Sequence, residues 1–108
     1  WVEYPDAVRE MEILKLKAPE VETRLSNKVV TFVQKLREMD LFKLPGIAET
    51  IDWANALIKL GTTELSTEIT SDTLGALLKY QDDIEKMDGR ATHGLVQRAF
   101  TEADLIST

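Results

Sequence analysis

The first place where this chain could hold chemistry is the run Leu44-Pro45-Gly46-Ile47-Ala48-Glu49-Thr50. Pro45 fixes its own φ and biases Leu44 towards extended backbone, so a helix should stop before it. Gly46 can supply an unusual backbone angle or let another surface come close. A helix opening at Ile47 presents a glycine-led N-terminus, where the dipole and the backbone N–H groups favour an anion. The same pattern describes a plain connection between helices, which is the commoner use of Pro-Gly. Elsewhere the reactive residue types are sparse. His93 is the sole histidine and has no cysteine partner, so a structural or surface role is its simplest reading. Asp82, Asp83 and Glu85 lack calcium-loop spacing and read as a solvated face. No G-x-x-x-x-G-K-[ST] run occurs, no strand ends in paired acids to hold magnesium, and no nucleophile triad has a motif. The chain is not expected to be an enzyme by itself.

These residues must be positioned by helices. Pro5 suits the first position of a helix carrying Val8, Met11, Leu14 and Ala18 on one face and ending near Ala18-Pro19. A longer helix is expected over residues 20 to 39, where Val21, Leu25, Val29, Phe32, Val33 and Leu36 form the clearest apolar stripe. The third helix spans about residues 47 to 60 and stops at Gly61, a C-cap residue by type. It is apolar over much of its circumference, which makes it the expected centre of the bundle. Within it, Trp53 could stack on a ligand, but a packing anchor whose indole N–H finds a partner is the simpler role.

Thr62-Thr63-Glu64-Leu65 connects to a fourth helix, N-capped by Ser66 and ended by Asp88-Gly89. It uses Ile69, Thr73, Ala76, Leu77, Tyr80 and Ile84, with Leu74 and Leu78 alongside. Gly75 in its middle implies a close helix–helix crossing, since glycine costs about 1 kcal/mol there against alanine. A short fifth helix over Leu95, Val96, Ala99, Phe100, Ala103 and Ile106 is an option, with Gly94 near its start. Trp1-Val2-Glu3-Tyr4 alternates like a strand but is too short to make a sheet. The fold expected is all-α, a compact bundle of four main helices.

Two runs carry a resemblance. Lys43-Leu44-Pro45-Gly46-Ile47-Ala48-Glu49-Thr50-Ile51-Asp52-Trp53-Ala54, then Asp72-Thr73-Leu74-Gly75-Ala76-Leu77-Leu78-Lys79-Tyr80-Gln81-Asp82-Asp83-Ile84, resemble the C-terminal helical lid of MoxR-type AAA+ ATPases. The branch resembled is the one encoded near carbon monoxide dehydrogenase genes, and the likeness covers roughly residues 3 to 87. It implies that residues 1–4 end a hinge from an absent nucleotide-binding domain, that residues 5–88 form the lid, and that residues 89–108 are a tail. Tyr4 and Pro5 would be the hinge, while Gly46, Ile47, Glu49 and Thr50 would face the nucleotide. ATP and magnesium are implied for the full-length protein, with no cofactor in this fragment. A homo-oligomeric ring and a von Willebrand factor A-domain partner are implied as well, serving chaperone-like maturation of metalloenzymes or complexes. The chain departs from the wider pattern in one respect. The turn that in many relatives offers an arginine to the γ-phosphate here has Glu49 and Thr50, with Lys43 the nearest cation, and a carboxylate there repels phosphate unless a cation intervenes.

Bulk properties bound the alternatives. At 108 residues, 44% hydrophobic and 30% charged, the chain fits one small globular domain. A net charge of −6 argues against a nucleic-acid surface, and a helix-turn-helix reader would carry Glu49 and Asp52 at its reading end. No apolar run approaches the ~20 residues that span a bilayer, and the acidic start is not a signal peptide. Without cysteine, disulfides and thiolate chemistry are excluded, and the cytoplasm is the default compartment. The opening Trp1 leads one to expect a fragment or a processed chain. The competing reading is a free-standing helical protein–protein interaction module.

Overall fold

A computed structural model describes residues 4–39, 41–62, 65–87 and 89–107. The chain is all-helical over these residues: α1 (Ala7–Lys17), α2 (Thr23–Leu36), α3 (Ile47–Lys59), α4 (Thr67–Thr73), a 3-10 turn (Leu74–Ala76), α5 (Gln81–Lys86) and α6 (Gly89–Ser107). The expectations for Trp1, Val2, Glu3, Thr63, Glu64 and Asp88 fall outside the described residues, as do the side chains of Phe100, Ala103 and Ile106.

Local chemistry explains most of the helix ends. Asp6, and not Pro5, opens α1: its carboxylate accepts the Arg9 N–H at 2.8 Å, so Pro5 stands before the cap and outside the helix. Ser66 caps α4 as expected, accepting the Ile69 N–H at 3.1 Å. Gly61 follows the last turn of α3 with φ +69°, a left-handed conformation that glycine adopts without penalty. Helix α2 is shorter at both ends than the expected span of residues 20 to 39. Val21 stays buried although it lies in the turn before the helix.

The centre of the bundle is α2, not α3, because α2 is buried on more than one side. Leu25, Val29, Phe32, Val33 and Leu36 are joined inside by Val30, Ser26, Thr31 and the stem of Lys28. It packs on α1, α3 and, most extensively, α6. Helix α3 buries a narrower face, Thr50, Trp53, Ala54 and Leu57, and leaves Leu60 exposed.

The single fourth helix of the sequence reading is three pieces. Thr70 and Thr73 return their hydroxyls to the carbonyls of Ser66 and Ile69, both at 2.7 Å, a back-bonding that bends helices. The tighter 3-10 turn then brings Leu74, Leu77 and Leu78 all inward, and the chain restarts as α5 after Tyr80. Tyr80 is consequently exposed instead of lying on the apolar face. Gly75 marks no helix crossing, since a Cβ there would meet nothing within 4 Å. The tail is the other correction. Helix α6 runs 19 residues from Gly89, so Gly89 opens a helix and Gly94 sits inside it. Leu95, Val96 and Ala99 bury against the rest of the core.

Trp53 is the anchor where the two resembling runs meet. Its side chain is fully buried, its ring lies 5.3 Å from Phe32, and its indole N–H donates to Thr73 Oγ1 at 2.7 Å. Trp53→Ala should therefore cost about 3–5 kcal/mol, read as a lowered urea midpoint. Trp53→Phe should retain part of that packing while losing the bond to Thr73. A Trp53→Ala midpoint equal to wild type would show that the ring is not a core anchor.

Candidate functional site

The turn that opens α3 is held from beneath by a buried ion pair. Glu10 of α1 is fully buried, and Arg37, one residue past α2, has a side chain only 6% exposed. They meet in a two-pronged contact, Arg37 Nη1 to Glu10 Oε1 at 2.9 Å and Nη2 to Oε2 at 2.7 Å. Gln34 Nε2 donates to Oε1 at 2.8 Å, and the Thr50 hydroxyl donates to Oε2 at 2.9 Å. Each carboxylate oxygen thus receives two donors, which fills the acceptor capacity of a buried carboxylate.

The same groups reach outward to the residues singled out in the sequence. Arg37 Nε donates to the Pro45 carbonyl at 2.7 Å, and Gln34 Nε2 also reaches the Pro5 carbonyl at 3.1 Å. The Arg37 guanidinium lies over the Tyr4 ring at 4.9 Å, a cation–π contact. Tyr4, Pro5, Pro45 and Thr50 are therefore all tied to one ion pair. Above it lies an open groove of about 530 Å³ lined by Tyr4, Pro5, Asp6, Arg9, Ile13 and Ile47.

Gly46, Ile47 and Glu49 are half-buried on the opening turn, while Thr50 points into the protein and is fully buried. Gly46 has φ −91° and ψ −171°, so it supplies no unusual backbone angle. What it supplies is room. The Glu49 carboxylate folds back to accept the Gly46 N–H at 3.1 Å, and a Cβ on Gly46 would press on that carboxylate at 3.2 Å. Lys79 Nζ stands 3.7 Å from Glu49 Oε1 and partly offsets its charge.

A second carboxylate clamps the loop before the turn. Asp83 was read as part of a solvated face, yet it is fully buried and accepts the N–H groups of Phe42 at 2.8 Å and Lys43 at 3.1 Å. A turn without regular partners needs such an acceptor for its backbone. His93 lies on the surface with Nδ1 3.0 Å from Thr67 Oγ1, linking α6 to α4.

Arg9, Gln34, Arg37 and the buried role of Glu10 were missed in the sequence. A signal existed for two of them. Glu10 falls between Ala7 and Leu14 on the inward stripe of α1, and Arg37 follows Val33 by one turn on that of α2. Two opposite charges on two inward stripes are a candidate buried pair. No protein-family model matches this chain, and no curated protein or solved structure matches it either.

Arg37→Met leaves Glu10 buried without its counter-charge and should destabilise the protein by about 3–5 kcal/mol. The double replacement Glu10→Met with Arg37→Met should cost clearly less, because it leaves no uncompensated charge. Chemical denaturation of both single variants and the double variant measures this. Simple addition of the single effects would contradict the coupling.

Proposed function

We propose that this chain is the helical lid of a MoxR-type AAA+ ATPase, closing over the nucleotide site and coupling ATP hydrolysis to chaperone-like maturation of metalloenzymes or protein complexes. The observation that carries this reading is the convergence of Tyr4 and Pro5 with Ile47 on one open groove, above the ion pair that ties all three segments together. A lid needs its entry segment and its nucleotide-facing turn to move as one body. The two resembling runs also bind each other, through Trp53 with Thr73 and through Asp83 with the backbone N–H of Lys43.

In this reading Tyr4 and Pro5 form the hinge, and their contacts with Arg37 and Gln34 couple it to the bundle. ATP supplies the phosphoryl chemistry when bound between this lid and a separate nucleotide-binding domain. One feature supports an approach by phosphate at the α3 turn: Glu49 is folded back onto the Gly46 N–H and partly offset by Lys79. Arg9 in the groove is paired with Glu12, and Asp6 lines the groove beside it. Magnesium finds no such fit, because no group of three His, Cys, Asp or Glu side chains gathers among the described residues. The ring, the von Willebrand factor A-domain partner and a cytoplasmic setting belong to the same proposal. No helix among the described residues is long and apolar enough to cross a membrane. A free-standing interaction module remains the second reading, favoured by the exposed Val8 and Leu16 on α1.

Two experiments bear on this. In the full-length ATPase, Gly46→Val should displace the Glu49 carboxylate and lower turnover roughly tenfold to a hundredfold, while the isolated chain keeps its helical circular dichroism. Wild-type turnover and nucleotide affinity in that variant would reduce the turn to a connection. Separately, the isolated chain should neither hydrolyse ATP nor bind Mg-ATP at micromolar concentration in a calorimeter. Turnover above background would overturn the assignment of a lid that depends on another domain.

A further inference from the structure

The face between the end of α2 and the first half of α6 reverses the charge of the chain. The net charge is −6, yet residues 89 to 101 hold two arginines, a histidine and no carboxylate. Arg90 and Arg98 lie along one side of α6, facing Lys35, Glu38 and Met39 of the α2 end across a groove of about 360 Å³. Ala91, Leu95 and Met39 supply its apolar lining. Residues eight apart on a helix are about 12 Å apart along its axis, so the two guanidinium groups bracket the groove.

Gly94 lies midway between them and has no internal explanation. A glycine inside a helix destabilises it relative to alanine. Close packing within the protein would justify it, but a Cβ at Gly94 would meet nothing within 4 Å. The space over Gly94 is open, and a glycine is what allows a second backbone to close on a helix from outside. None of these features belongs to the groove at Tyr4 and Ile47 or to the α3 turn.

We infer that this groove docks an acidic amphipathic helix of a partner protein. Two carboxylates about two turns apart on that helix pair with Arg90 and Arg98, and an apolar residue between them seats over Gly94 against Met39, Ala91 and Leu95. Met39 suits this, because an unbranched thioether adapts to different side chains. The arginines fix orientation and speed encounter, while the apolar contact holds the complex. Glu38 is the one carboxylate among the described lining residues, and Lys35 Nζ stands 3.9 Å from it. This inference is independent of whether the α3 turn faces a nucleotide.

Fluorescence polarisation with a labelled synthetic helix tests it. The probe carries two glutamates two turns apart around a leucine. A second peptide has glutamine in their place, and an oligouridylate is the third probe. The glutamate peptide should bind at least about tenfold more tightly than the glutamine peptide. Arg90→Glu with Arg98→Glu, and separately Gly94→Phe, should each weaken it at least about tenfold at unchanged melting temperature. Should either variant unfold, Arg90→Gln with Arg98→Gln and Gly94→Leu give the same reading. Absence of binding, equal binding of the glutamine peptide, or affinity unchanged in folded variants overturns the inference. Displacement of the peptide by oligouridylate at comparable concentration also overturns it, since the surface would then be a general anion site.

Discussion

The ion pair between Glu10 and Arg37 is the constraint on which the rest of this structure depends. A carboxylate and a guanidinium taken out of water carry a large desolvation penalty, recovered only when their remaining lone pairs and protons find partners. Here the partners are drawn from separate segments: Gln34 of α2, Thr50 of α3 and the carbonyl of Pro45 before it. Satisfying the pair therefore fixes where α1, α2 and the opening of α3 stand relative to one another. A purely apolar contact could hold these helices together with less geometric demand.

That arrangement gives the proposed lid its mechanical sense. Chain entry at Tyr4 and Pro5 and the turn at Gly46 are far apart in sequence, but they share the contacts of Arg37 and Gln34. In the proposed lid these contacts would carry motion from one to the other. Asp83 extends the same logic to the loop before Pro45, whose N–H groups it holds from α5. The turn proposed to face the nucleotide is kept in place by two buried carboxylates, Glu10 and Asp83.

Much of the fold was legible because helix-spaced apolar residues have few alternative explanations. The stripe from Leu25 to Leu36, the anchoring of Trp53 with its N–H satisfied, and the ends at Ser66 and Gly61 all follow from local chemistry. The rest depended on tertiary competition. Leu74, Leu77 and Leu78 fit a continuous helix by period, but burying all three favours a broken one. Helix α2 became the centre because α6 covers its far side, and the sequence beyond Gly89 offered only a weak stripe. The candidate site was half legible. Turn chemistry picked out Gly46 to Thr50, whereas Asp83 looked like an ordinary surface acid and the burial of Glu10 went unread until partners distant in sequence were known. Their burial depends on those partners; the inward stripe of α1 marked the position of Glu10, whereas nothing comparable marked Asp83.

Native-state hydrogen exchange at two amides tests the central claim, that one ion pair joins α1 to the opening of α3. The Glu10 N–H bonds to the Asp6 carbonyl and the Thr50 N–H to the Gly46 carbonyl, so each reports the first turn of its own helix. If the claim holds, both amides exchange with the same opening free energy in the wild-type protein, and both lose protection together in Arg37→Met. A Thr50 amide that opens independently of the Glu10 amide, or keeps its protection when Arg37 is replaced, would contradict it.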